Sequence, residues 1–341
     1  MLLNSEIKEI KSKITRFSEL NKKFLPIFIL ICIILGLIFG YYFSYSIKFV
    51  KPYVSIPLFI MLYPMMINLK IEKIKDSLKN LKLMISAIIL NFIISPLLGD
   101  LIGTYFIKNL DMMLYVGFVL KSTVPCSGMV IAWTGFAKGK VESALIIVSL
   151  SLILSIFLIP FWMVILVGIY IQIDILMMLQ KLLLIILLPI IAGYLTRLAL
   201  IKLIKIEKFK KIQPIFPTIS SFGMYMIVFI SISLESTTIL LNLDYILMIS
   251  LGIIILYPSL AIIGIIYSKF TNCCYEDTIA LTYGITAKNH SITIAIALTT
   301  FGGLTVLPAA FAPIIQIPLM ILILKLSSKI EKICSPNEKT I

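Results

Sequence analysis

The chain has 341 residues, of which 60% are hydrophobic and only 13% charged, and its mean hydropathy is +1.09; a soluble domain normally carries about 25% charged residues. That composition excludes a soluble globular protein and points to an all-α polytopic membrane protein. A net charge of +14 raises nucleic acid as a partner, and the placement of the basic residues decides against it.

Residues 1–23 are charged and amphipathic, with no short apolar core followed by a small-residue cleavage site. They are expected to form a cytoplasmic N-terminal helix leading into the first span. Apolar runs follow near 24–46, 54–69, 83–107, 112–136, 143–172, 179–200, 215–234, 245–268, 278–302 and 304–326, with a polar tail at 327–341. Most reach the roughly 20 residues that cross about 30 Å of hydrocarbon as helix, which predicts ten spans. The second run is short and carries Pro57 and Pro64; it is kept because without it the basic segments fall on the wrong sides.

Of the 30 Lys and Arg residues, six lie in the N-terminal segment, five at 70–82, two at Lys138 and Lys140, six at 197–211, one at Lys269 and four in the C-terminal segment. With ten spans all of these fall on one side. The alternate loops hold only Lys48, Lys51, Lys108 and Lys181. The positive-inside rule places both termini in the cytoplasm of a multi-pass plasma-membrane protein. The partner that the basic charge serves is the lipid bilayer, not nucleic acid. Lys121 and Lys288 remain, and both lie within spans. Each stands about ten residues from a span end, which weighs against snorkelling to the interface.

The fourth and ninth spans resemble each other. When GFVLKSTVPCSGMVIAWTG, from Gly117, is set over GITAKNHSITIAIALTTFG, from Gly284, the glycines, Lys121 and Lys288, and Gly135 and Gly302 coincide at one constant offset. Weaker pairings link Pro57 with Pro217 and Gly36 with Gly193. Two five-helix repeats, 24–172 and 179–326, follow, and an odd number of spans inverts the second. Inverted repeats place substrate and coupling ions near the midplane at discontinuous helices.

Pro125 removes a backbone donor and Gly128 adds flexibility, so the fourth span is expected to break near 121–128. In the ninth, Lys288, Asn289, His290 and Ser291 cover every face of a helical turn, which lipid does not tolerate without a polar neighbour. The two breaks are expected to cross. Ser122, Thr123, Ser127, Asn289, His290 and Ser291 then offer polar atoms to a small substrate. Lys121 and Lys288 read as tethered cations or as groups that exchange a proton during transport. Asn68 and Asn91 either line the site or bond across helices, and Glu235 reads as an interfacial charge. Cys32, Cys126, Cys273, Cys274 and Cys334 show no metal-finger spacing, so neither a metal site nor a structural disulfide is expected. No HExxH, P-loop or GxSxG occurs, which leaves secondary transport without a cofactor; a homo-oligomer is compatible with the sequence.

The run VGFVLKSTVPCSGMVIAWTGFAKG, with MLYP at 61–64, NFIISP at 91–96, NHSITIAIALTTFG at 289–302 and APIIQIP at 312–318, resembles the bile acid:sodium symporter superfamily, and most closely its arsenical-resistance branch. That resemblance implies a ten-span transporter with a panel domain and a core domain. The core would hold spans three to five and eight to ten, with crossed fourth and ninth helices. It also implies a metalloid-binding thiol at Cys126, since trivalent arsenic is soft and thiophilic. Two departures stand out: Ser291 and Gln316 occupy positions where the arsenite branch typically has glutamate. The leading expectation is a secondary transporter exporting arsenite or a related metalloid by alternating access. Transport of small organic anions, with the paired lysines as countercharge, is the alternative; a membrane sensor with a transporter fold is the reading from another class.

Overall fold

A computed structural model of the chain describes residues 2–43, 47, 49, 53–68 and 81–334, with residues 2–19, 22, 23 and 55 described by backbone alone. The basic loop at 70–80, Lys48, Lys51 and the tail after 334 lie outside the described residues. Those residues are helical throughout and contain no β-strand, only an isolated bridge between Cys126 and Lys288. Seven helices are long and apolar enough to cross a membrane: Phe24–Tyr42, Leu81–Phe106, Val141–Leu166, Ile175–Ile212, Ile215–Leu234, Leu243–Phe270 and Gly303–Lys325. Large apolar side chains such as Leu101, Tyr105 and Phe157 are exposed along them. A soluble surface does not carry so much contiguous apolar area, whereas a lipid-facing one does.

The second, fourth and ninth apolar runs form shorter helices, Ile56–Ile67, Met112–Thr123 and His290–Phe301. Twelve or so residues rise only about 18 Å as α-helix, short of the hydrocarbon thickness. The fourth and ninth are short because they are interrupted: Met129–Phe136 continues the one, and Tyr275–Thr286 precedes the other.

Several boundaries differ from the sequence expectation. The helix expected over 1–23 does lead into the first span, as one helix Leu2–Tyr42 that runs unbroken through Pro26 and ends before 46. The fifth run ends at Leu166 rather than 172. The sixth begins earlier, at Ile175, because the Asp174 carboxylate accepts from the Met177 N–H at 2.9 Å and caps the helix. It also extends to Ile212, with one non-helical residue at Lys205 (φ 64°), since an apolar-run count cannot see helix continuing into a basic stretch.

The chain forms two compact units, Met1–Leu69 with Leu184–Leu241, and Lys70–Leu183 with Asn242–Ile341. In the first, close helix approach depends on glycine. A Cβ on Gly223 would strike the backbone of Met61 and of Pro57, and one on Gly193 the backbone of Met66. Small residues at such crossings are how membrane helices gain packing without a hydrophobic driving force. Polar pairs add to it: Tyr63 with Thr196 at 2.6 Å, Asn68 Nδ2 donating to the Gln213 carbonyl at 3.0 Å, and Ser220 donating to the Met61 carbonyl.

Gly223→Ala should therefore destabilise the protein by about 1–3 kcal/mol, the usual cost of overpacking. Gly135→Ala, whose Cβ meets only Val141 at 3.5 Å, should stay within about 0.5 kcal/mol of wild type. Thermal unfolding in detergent compares the two directly.

Candidate functional site

Within the second unit the fourth apolar run starts as a well-capped helix. Asp111 accepts from the N–H groups of Met113 at 2.7 Å and Leu114 at 3.1 Å, and the helix proceeds to Thr123. Val124 is extended, and helix resumes at Met129. Pro125 and Gly128 thus bracket the break. The ninth run stops at Thr286 and restarts at His290, where the Asn289 side chain accepts from the Ile292 N–H at 3.1 Å.

Each break exposes backbone groups that hydrocarbon would leave unpaired, and the two breaks satisfy one another. The Ser127 N–H donates to the Ala287 carbonyl at 2.7 Å, and the Asn289 N–H donates to the Pro125 carbonyl at 3.0 Å. This antiparallel exchange sets Cys126 opposite Lys288.

Lys288 is almost fully buried, at 1% exposure. Its Nζ donates to the Asn91 carbonyl at 3.3 Å, to Asn91 Oδ1 at 3.2 Å and to the Val124 carbonyl at 3.3 Å. Both carbonyls are available for a local reason. Residues Leu90–Ile94 form a π-helical turn in which the Ser95 N–H bonds Leu90 O, and Pro96 has no N–H, so Asn91 O has no helical donor. Val124 O lies in the break ahead of Pro125. Lys288 meets both unpaired acceptors with one cation.

Lys121 is equally buried, at 0% exposure, and is held differently. It lies in the last turn of its half-helix, where the helix dipole favours a cation. Its Nζ has no hydrogen-bond partner among the described residues. Instead it stands 4.1 Å from the centre of the Tyr257 ring and 5.2 Å from that of Phe118. Neither lysine snorkels. His290, beside Lys121, is also buried. Gln316, fully buried, lies within hydrogen-bonding reach of the ring, although neither side chain makes a hydrogen bond of full geometry among the described residues.

Cys126 is buried, its Sγ 3.2 Å from Ser151 Oγ. The other expected residues divide. Ser127 accepts from the Met129 N–H at 3.1 Å and helps restart the helix. Ser122 and Thr123 turn their hydroxyls onto their own helix, to Phe118 and Val119 and to Leu120. Ser291 is partly exposed on the first turn after the break. Asn91 belongs to this site, whereas Asn68 and Glu235 belong to the other unit. Tyr257, Ser151 and Gln316 were not expected as site residues. Tyr257 and Ser151 carry no sequence signal beyond a polar atom in an apolar helix.

Two interrupted helices that meet at buried polar side chains, in a chain of apolar spans, define a polytopic membrane transporter. Residues 55–242, more than half of the chain, match the Sodium Bile acid symporter family, and the chain belongs to that family of membrane transporters. It is also similar to the arsenical-resistance protein Acr3 of Alkaliphilus metalliredigens (strain QYMF), at 25% identity over 274 residues, covering 75% of each chain.

The stacking of Lys121 on Tyr257 is open to test. Tyr257→Phe keeps the ring and should leave stability nearly intact, while Tyr257→Leu should cost about 0.5–2 kcal/mol more than the phenylalanine variant. In a Lys121→Met background that difference should shrink towards zero, as a double-mutant cycle of unfolding midpoints would show.

Proposed function

We propose that the chain is a plasma-membrane secondary transporter that exports arsenite or a related trivalent metalloid by alternating access. The observation that carries this reading is Cys126, a thiol held at the crossing of two broken helices. A single soft ligand binds a trivalent metalloid reversibly, as a carrier requires, and Ser151 orients it. The similarity to an arsenical-resistance protein supports the substrate. In this reading the ten apolar runs are ten spans in two inverted repeats, 24–172 and 179–326, between cytoplasmic segments 1–23 and 327–341. The compact units correspond to a panel and a core, since spans three to five and eight to ten fall within the second unit. Ser122, Thr123, Ser127, Asn289, His290 and Ser291 line the substrate's path, and Lys121 and Lys288 serve as tethered cations or coupling groups.

A second reading is favoured by a different observation. The unpartnered atoms of Lys121, His290 and Gln316 form a buried, donor-rich cluster, and a small organic anion would satisfy it.

In everted vesicles from cells lacking their own arsenic pump, the protein should accumulate arsenite and Cys126→Ala should reduce that accumulation at least tenfold. Uptake that ignores the substitution would remove the metalloid role of Cys126, and an absence of uptake in both proteins would move the assignment to organic anions.

The proposed topology has its own test. Cys274 is exposed at the turn before Tyr275–Thr286, and burial pushes its thiol up from the ordinary cysteine value. Only the thiolate reacts, so a charged maleimide should label it slowly at pH 7 and faster as the pH rises towards and beyond 9. In a variant retaining Cys274 alone, labelling in inverted vesicles and none in intact cells is the expected result; the reverse pattern would overturn the cytoplasmic placement of this turn.

A further inference from the structure

The geometry points to Lys288 as the built-in occupant of a monovalent-cation site, whose ligands are the Asn91 carbonyl, Asn91 Oδ1 and the Val124 carbonyl. This rests on the transporter reading only in naming the ion that the site would otherwise take. The three acceptors are neutral oxygens at 3.2–3.3 Å from Nζ, all buried. Neutral oxygens converging on one point are how a dehydrated alkali cation is held in a protein, with carbonyl dipoles replacing its water shell, and a free ion would draw these three inward from the ammonium distance.

The arrangement is built by features that a lone lysine would not require. A π-helical turn and Pro96 strip one carbonyl of its helical donor, and the break before Pro125 strips the other. The Asn91 amide is itself fixed, its Nδ2 donating to the Ala87 carbonyl at 3.2 Å, so Oδ1 is oriented towards the cation. Lys121 has no such set: it stands over two rings, and its Nζ has no hydrogen-bond partner among the described residues. The two buried lysines therefore differ in kind. In a family named for sodium symport, an ammonium fixed to the chain fills the place of a soluble ion and makes the fold independent of sodium. Removing it should uncover a site that free sodium can enter.

The test needs no transport substrate. Thermal midpoints of the purified protein in detergent are measured in sodium, potassium and choline chlorides at equal ionic strength. Wild type should give one midpoint in all three. Lys288→Ala should melt lower in choline and rise by several degrees, saturably, with sodium, as ligand binding to the folded state requires. Adding Asn91→Ala should abolish the rise. A saturable sodium response in wild type, or a folded Lys288→Ala protein indifferent to all three cations, would overturn the proposal. If Lys288→Ala cannot be isolated in choline, recovery of monodisperse protein in sodium supports the site, and failure in both sodium and potassium refutes it. Absence of arsenite flux alongside a sodium-responsive Lys288→Ala would refute the substrate assignment and leave the cation site standing.

Discussion

Hydrocarbon supplies no water to an unpaired N–H or carbonyl, and each such group costs several kcal/mol. An interrupted membrane helix is therefore tolerable only if something else completes its hydrogen bonds. Here the two interruptions complete each other: Ser127 pairs with Ala287, and Asn289 with Pro125. The exchange needs both breaks at once. A substitution that let one helix run straight would orphan the other, so the pair behaves as one structural element. The position of Cys126 is a consequence of this constraint, because the thiol is borne on the exchanged segment.

The break before Pro125 leaves Val124 O unserved and the π-helical turn before Pro96 leaves Asn91 O so, and Lys288 meets both. Hydrogen bonds from a charged donor are worth about 1.5–3 kcal/mol each, and this ammonium makes three with protein oxygens. Lys121 makes none; a cation over a desolvated ring gains about 2 kcal/mol or more from each good face. Identical side chains at matching positions of the two spans are thus fixed to different degrees. Lys288 is committed to the backbone, whereas Lys121, with His290 and Gln316 beside it, has hydrogen-bonding capacity left for a ligand.

The sequence made part of this legible. Pro125 in an apolar run and the four consecutive polar residues from Lys288 each violate a rule of lipid-exposed helix, and both mark real interruptions. The matching of the two lysines followed from glycine and lysine alignment alone. What stayed hidden were features without a local signature. A π-helical turn at Leu90–Ile94 has the same composition as the α-helix around it, so the role of Asn91 as a lysine ligand could be weighed but not assigned. Tyr257 sits between Leu256 and Pro258 in a helix of apolar character, and only tertiary packing turns its ring into a seat for Lys121.

The charges of the site bear on energetics. An ion that couples transport must be taken up on one side and released on the other, and a tethered ammonium can do neither. If Lys288 stands where an ion would bind, no gradient is coupled through that position. Gln316, buried and uncharged, cannot exchange a proton either, and Ser291 carries no ionisable group. That leaves Lys121, Lys288 and His290 as the buried nitrogen groups of this cluster able to change charge during a cycle. Charging two of them at once would be opposed by their mutual repulsion unless an anion entered with the proton. Accumulation of a neutral metalloid then requires one of these groups to carry the proton alone, whereas an anionic substrate would bring its own coupling proton, so the charge of the bound substrate decides how transport is driven.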